Sequence, residues 1–235
     1  MVKSPLARVL LCLAVLTIIG VTALALGSRQ NIVLTNDGRM AIATKAPEVI
    51  TPAVRDAKLT TIAGNLSHYP FGTFFCCYGN TIAEGGSNFP FQTWVAIAFT
   101  PAADATVTKL EASVGTFGGA TGFELSIRED SGGVPGNVMK SFHFPTPPQY
   151  GQCCVLDVGH DNAGIPVKGG TQYWVVASTK AKDTNFLGGW AFNSTDMRSH
   201  LMASWCKGSS TYCGSSSGKW VSFSSLTPGF AVLGH

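Results

Sequence analysis

The stretch Gln92-Thr93-Trp94-Val95-Ala96-Ile97-Ala98-Phe99 decides the fold. It alternates along the chain, with Trp94, Ala96 and Ala98 on one face. Successive side chains of a strand point to opposite sides of a sheet, so this period of two predicts a strand. Outward from it, similar short segments recur at 107–114, 123–128, 138–144, 153–158 and 173–178. Further candidates lie at 189–193, 201–205, 220–223 and 230–233. Turn-forming clusters separate them: Ser131-Gly132-Gly133-Val134-Pro135-Gly136, residues 145–151 and Gly169-Gly170. In the first cluster Pro135 presets φ for the first central turn position, and Gly136 is expected to supply a positive φ at the second. About ten short strands at intervals of roughly ten residues predict an all-β chain: an antiparallel, jelly-roll-like β-sandwich.

Upstream of this domain, placed at 57–235, residues 28–56 read as a hairpin and linker. Asn36-Asp37-Gly38 lies between apolar alternations, a strong hairpin signal. Pro47 and Pro52 punctuate the linker. Residues 1–27 have the layout of a secretory signal: Lys3 and Arg8, an apolar run from Val9 to Leu26, then small residues suited to cleavage. The expected location is therefore outside the cell or at its surface. An uncleaved signal segment would be the only expected hold on a membrane.

Composition narrows the class. Charged residues make up 12% of the 235, roughly half the usual share, and glycine supplies 27 positions. A disordered chain would carry more charge and fewer aromatics. Removing Lys3 and Arg8 from the 16 basic residues leaves 14 against 13 acidic ones, a net charge of +1. With no basic cluster, that is no footprint for nucleic acid or another polyanion.

Apart from Cys12, the cysteines are Cys76, Cys77, Cys153, Cys154, Cys206 and Cys213. An even number in an exported chain reads as disulfides. Spacing favours Cys206 with Cys213, closing a small Gly/Ser-rich loop, and the two adjacent pairs bonded to each other. Were those pairs on antiparallel neighbours, Cys76 would face Cys154 and Cys77 would face Cys153, one bridge on each side of the sheet. The two-to-four-residue spacing of zinc ligands is absent.

Several motifs together resemble a known family. Ala98-Phe99-Thr100-Pro101 is followed by a strand containing Leu110 and by the run from Leu125-Ser126-Ile127-Arg128-Glu129-Asp130 to Pro135-Gly136. Gly170-Thr171-Gln172-Tyr173-Trp174-Val175-Val176 and the ending Pro228-Gly229-Phe230-Ala231-Val232-Leu233-Gly234 continue the series. Over about residues 60–234 the chain resembles the exported bacterial "choice-of-anchor" β-sandwich proteins, relatives of those with PEP-CTERM sorting tails. The resemblance implies the fold and an exported bacterial setting, and it carries no catalytic residues. Two departures stand beside it: no sorting tail is expected, and the paired cysteines are not a family hallmark.

The chemistry-bearing candidates are few. Gly214-Ser215-Ser216-Ser217-Gly218 fits Gly-x-Ser-x-Gly, but a nucleophile elbow needs a strand before it and a helix after it, and neither is expected here. His68, His143, His160, His200 and His235 lack helical metal spacing. Glu129, Asp130, Asp157 and Asp161 are the residues a structural calcium would use, whereas their ordinary role is to cap turns. No other cofactor is expected. Asn65-Leu66-Ser67 and Asn193-Ser194-Thr195 are glycosylation sequons, relevant in a eukaryotic secretory host. The aromatics say more, because aromatic faces on a rigid sheet stack on sugar rings. Trp205 and Trp220 flank the Cys206–Cys213 loop and Trp190 follows Gly188-Gly189, which makes these three the expected ligand residues. Trp94 and Trp174 lie in the most apolar strands and are expected in the core.

The expected function is that of a non-catalytic module binding carbohydrate, such as an envelope polysaccharide, or another envelope component. A self-associating structural or matrix protein is the alternative, and a secreted hydrolase ranks last.

Overall fold

The computed structural model describes residues 31–34, 40–43, 58–66, 74–85, 91–118, 122–144, 156–158, 163–179, 186–193, 200–208, 217–224 and 226–235. In 31–34, 40–43, 74–78 and 156–158, and at 144 and 217, the description is of the backbone alone. The chain divides into Met1–Asn31 and Ile32–His235. The signal segment lies outside the described residues, and the architecture below is that of the second unit.

Among the described residues there is no helix. The strands are β1 (Asn31–Leu34), β2 (Met40–Ala43), β3 (Thr60–Gly64), β4 (Phe74–Ala83), β5 (Gln92–Phe99), β6 (Ala105–Ala112), β7 (Val114–Gly118) and β8 (Phe123–Asp130). They continue with β9 (Pro135–Phe144), β10 (Leu156–Val158), β11 (Ile165–Val167), β12 (Tyr173–Thr179), β13 (Leu187–Asn193), β14 (Met202–Lys207), β15 (Ser217–Phe223) and β16 (Phe230–Gly234). Two sheets result, of eleven and five strands among the described residues. The larger contains the run β15-β14-β5-β12-β8-β9; the smaller is ordered β10-β6-β16-β3, with β11 also on β6. The printed registers are antiparallel throughout. The architecture is all-β and sandwich-like. The predicted hairpin supplies β1 and β2, and β2 joins β4 through Ala41 and Asn80; its turn lies outside the described residues.

The alternation read in the sequence becomes the layering. Val95, Ile97 and Phe99 enter a core shared with Leu125, Ile127 and Val175 of the larger sheet and Leu110, Phe230 and Val232 of the smaller. These side chains are at most 2–3% exposed. Full burial of one such side chain contributes about 1.5–3 kcal/mol, so this layer provides the main drive for folding. On the opposite face of the larger sheet Ala96, Ala98 and Ala203 form a second cluster with Trp174 and Val176.

One turn differs from its expectation. The reversal between β8 and β9 is made by residues 131–134, closed by the Ser131 N–H donating to Val134 O at 2.8 Å. Gly132 (φ 67°) and Gly133 (φ 85°) take the left-handed positions, not Gly136. Pro135 instead opens β9 opposite Asp130, a place at the start of a strand where a missing N–H costs no ladder bond.

Candidate functional site: a tryptophan row on the larger sheet

Register places three tryptophans in one row. Trp205 on β14 lies opposite Trp94 on β5 and opposite Trp220 on β15. The Trp94 and Trp205 rings stack, with centroids 4.2 Å apart and planes 16° from parallel. All three side chains are half-buried. Gly218 clears space for the row: a Cβ there would lie 3.0 Å from Trp205 Cζ2, and its φ of +63° also suits glycine.

The row is anchored from one side. The Trp94 indole N–H donates to Thr179 Oγ1 at 2.9 Å. The Thr179 hydroxyl in turn donates to Glu84 Oε2, which also accepts from Gln92 Nε2 at 2.9 Å. Thr179 is buried, so this chain of bonds fixes the Trp94 ring where water competes little.

The small side chains beside the row let Trp220 pack against the cluster of Ala96, Ala98, Ala203, Trp174 and Val176. From β8, Arg128 reaches the same ring, its Cζ 5.9 Å from the Trp220 centroid. Its Nε donates to Ser126 Oγ at 3.2 Å. Burial pushes the Arg128 pKa below its ordinary value, against the opposing pull of Glu124. Beside it, Trp174 is fully buried and its indole N–H donates to Asp130 Oδ1 at 2.7 Å.

Two of the three expected ligand tryptophans therefore come together, and the third does not. Trp190 is 0% exposed, belongs to the central core, and its indole N–H donates to Gly229 O at 2.9 Å. It offers no ring face to a ligand. Its place in the row is taken by Trp94, assigned to the core by sequence. Trp174 is buried as expected.

Of the acidic candidates, the two whose side chains are described, Glu129 and Asp130, are already hydrogen-bonded. Asp130 accepts from Trp174, from Gln172 Nε2 at 2.6 Å and from the Gly133 N–H at 3.1 Å. Burial pushes its pKa up, but the bonds from Trp174, Gly133, Gln172 and Gly132 outweigh this and hold it below the ordinary value. Glu129 accepts from Asn137 Nδ2 at 3.3 Å. Asp157 lies opposite Glu111 in register with its side chain outside the described residues, as is all of Asp161. Among the described residues no group of three or more His, Cys, Asp or Glu is placed to hold a metal. His200 Nδ1 lies 3.1 Å from Ala98 O, with its ring edge-on to Phe230. His68 and His160 are outside the described residues. Of the serine motif, Ser217 and Gly218 open β15 and the rest lies outside the described residues. Cys206 is disulfide-bonded; the side chains of Cys76, Cys77, Cys153, Cys154 and Cys213 lie outside the described residues.

The arrangement can offer aromatic faces, one cation and flanking hydroxyls to a ligand. Comparison with known proteins adds no relative: no family model, curated protein or solved structure matches the chain.

Proposed function

We propose that the chain is an exported, non-catalytic module with a jelly-roll-like, disulfide-bonded sandwich, binding carbohydrate at the Trp94–Trp205–Trp220 row. The observation that carries this reading is the register that aligns three half-buried tryptophans on adjacent strands beside Arg128. Indole faces stack on the C–H faces of sugar rings, and a ring pinned by hydrogen bonds loses little entropy on binding. The signal-like N-terminus and the resemblance to choice-of-anchor proteins support an extracellular or surface setting.

The test is a binding screen of the purified full-length chain against immobilised glycans and envelope polysaccharides, beside Trp205→Ala and Trp220→Ala. Saturable binding lost in a folded variant is expected; absence of binding to every glycan overturns the reading. The disulfide framework has its own check. Alkylation without reduction is expected to leave the mature protein unlabelled, and two or more labelled thiols would break the proposed pairing.

Self-association is a second reading, favoured by Val138 and Val221, each 49% exposed on strands β9 and β15. Unpaired edges and exposed apolar side chains are where sheets join.

A further inference from the structure

We infer that the ligand of this face is an acidic glycan, whose uronate-type carboxylate is read by Arg128 while the sugar ring stacks on the tryptophan row. The inference rests on the carbohydrate reading above and deepens it. Among the described residues, the partners of the Arg128 guanidinium are Ser126 Oγ and the Trp220 ring, and no carboxylate forms an ion pair with it. A half-buried arginine normally gains a counter-charge, because desolvating a cation is costly unless it is paired. Here burial is the main influence on its charge, with Glu124 opposing it from a distance.

Among the described residues, the carboxylates on the same strand as Arg128 have hydrogen-bond partners of their own. Glu124 Oε1 accepts from Ser141 Oγ at 3.0 Å. Asp130 has Oδ1 on Trp174 and Gln172 and Oδ2 on Gly133. The Nε–Ser126 bond and the contact with Trp220 hold the planar fork in place, leaving the Nη donors for a ligand. A planar guanidinium binds a carboxylate through two parallel bonds, a match that sugar hydroxyls do not reproduce. The near-zero net charge is no obstacle, since recognition of one carboxylate per sugar needs a local cation and not a basic surface.

The experiment uses the purified full-length chain with polygalacturonate and polyglucuronate, and with the same polymers after reduction of their carboxyls to alcohols. Wild type is compared with Arg128→Gln and Arg128→Lys, each checked for a wild-type melting transition. Binding of the acidic polymers is expected to fall by roughly tenfold or more on carboxyl reduction and in Arg128→Gln, and by less in Arg128→Lys, which keeps the charge but not the fork. Equal binding of native and reduced polymers, unchanged in a folded Arg128→Gln, overturns the inference and leaves the carbohydrate reading standing. Binding of neither form by wild type, with neutral glycans also unbound, overturns both.

Discussion

The side-chain amide of Asn193 donates a 2.9 Å hydrogen bond to the backbone oxygen of Asn65, and both residues are asparagines of glycosylation sequons. Asn65 in turn uses both ends of its own amide: Nδ2 donates to Pro228 O at 2.9 Å, and Oδ1 accepts from the Phe230 N–H at 2.9 Å. Asn65 is 6% exposed and Asn193 0%. The segment from Thr227 to Phe230 is thereby tied to the end of β3 and to β13, with Trp190 and Ser113 adding bonds to Gly229 O.

A glycan attached to either Nδ2 would replace one of its two hydrogens and need space beside a buried amide, where there is none. Expression through a eukaryotic secretory pathway is expected to yield folded product with both asparagines unmodified, while any glycosylated chain fails to fold. Mass measurement of the soluble secreted fraction, before and after deglycosylation, checks this; a glycan on Asn65 or Asn193 of a folded molecule contradicts it. In a host without glycosylation, Asn193→Ala is expected to cost about 1–3 kcal/mol, because it leaves buried polar groups unpaired.

Asp130 makes a pH-dependent contribution whose sign follows from its bonds. Its folded pKa lies below the ordinary value of 3.8. Its stabilisation is therefore complete above that value and is lost as pH falls through the lower, folded one. Asp130→Asn turns an amide NH₂ toward either the Trp174 and Gln172 donors or the Gly133 N–H. The expected loss is about 1 kcal/mol at neutral pH, moderated because the group is exposed. Denaturant midpoints of the two proteins are expected to converge as the acid limb is reached; a constant gap down to the lowest pH contradicts the assignment.

The Trp94–Trp205 stack is close and nearly parallel, the geometry in which two indoles couple their transitions. Wild type is expected to show an exciton couplet in far-UV circular dichroism. Trp94→Leu abolishes it and removes about 0.5–1.5 kcal/mol of ring–ring stabilisation beyond the buried area lost. Thr179→Val, which deletes the acceptor of the Trp94 indole, is expected to weaken the couplet while the chain stays folded. An unchanged spectrum in Trp94→Leu would place the rings apart.

What the sequence reveals about this site follows from which interactions are local. The alternation of Gln92–Phe99 is a short-range pattern, and its two faces are the two layers of the fold. Alanines at 96 and 98 beside Trp94 were a signal against a core position, since a face of small residues leaves room for something large to lie on it. Trp190 misleads for an opposite reason. Gly188 stands just before the strand read at 189–193, and a Cβ there would meet Gly115 O at 2.6 Å and Phe186 Cζ at 2.8 Å. It marks the close approach of β13 to β7, which buries the tryptophan. The meeting of Arg128 with Trp220 depends on register and twist across β8, β12, β5, β14 and β15, and no local spacing encodes it.

Lys109 and Glu111 carry the last prediction. They share one face of β6 at i and i+2, 3.5 Å apart, with side chains 6% and 7% exposed. Leu233 lies opposite Lys109, and Ala231 opposite Glu111. A buried pair gains little net stability over apolar residues, but removing one member takes a countercharge away from the other. Both residues have further partners, so the pair is best isolated by a double-mutant cycle. Glu111→Gln alone is expected to cost about 1–3 kcal/mol, the further partners of Lys109 limiting the loss, while Lys109→Met with Glu111→Leu restores most of it. Urea midpoints of the four proteins measure the coupling. Additive losses would mean that the two charges are solvated independently, and that the outer face of the smaller sheet is wetter than its burial implies.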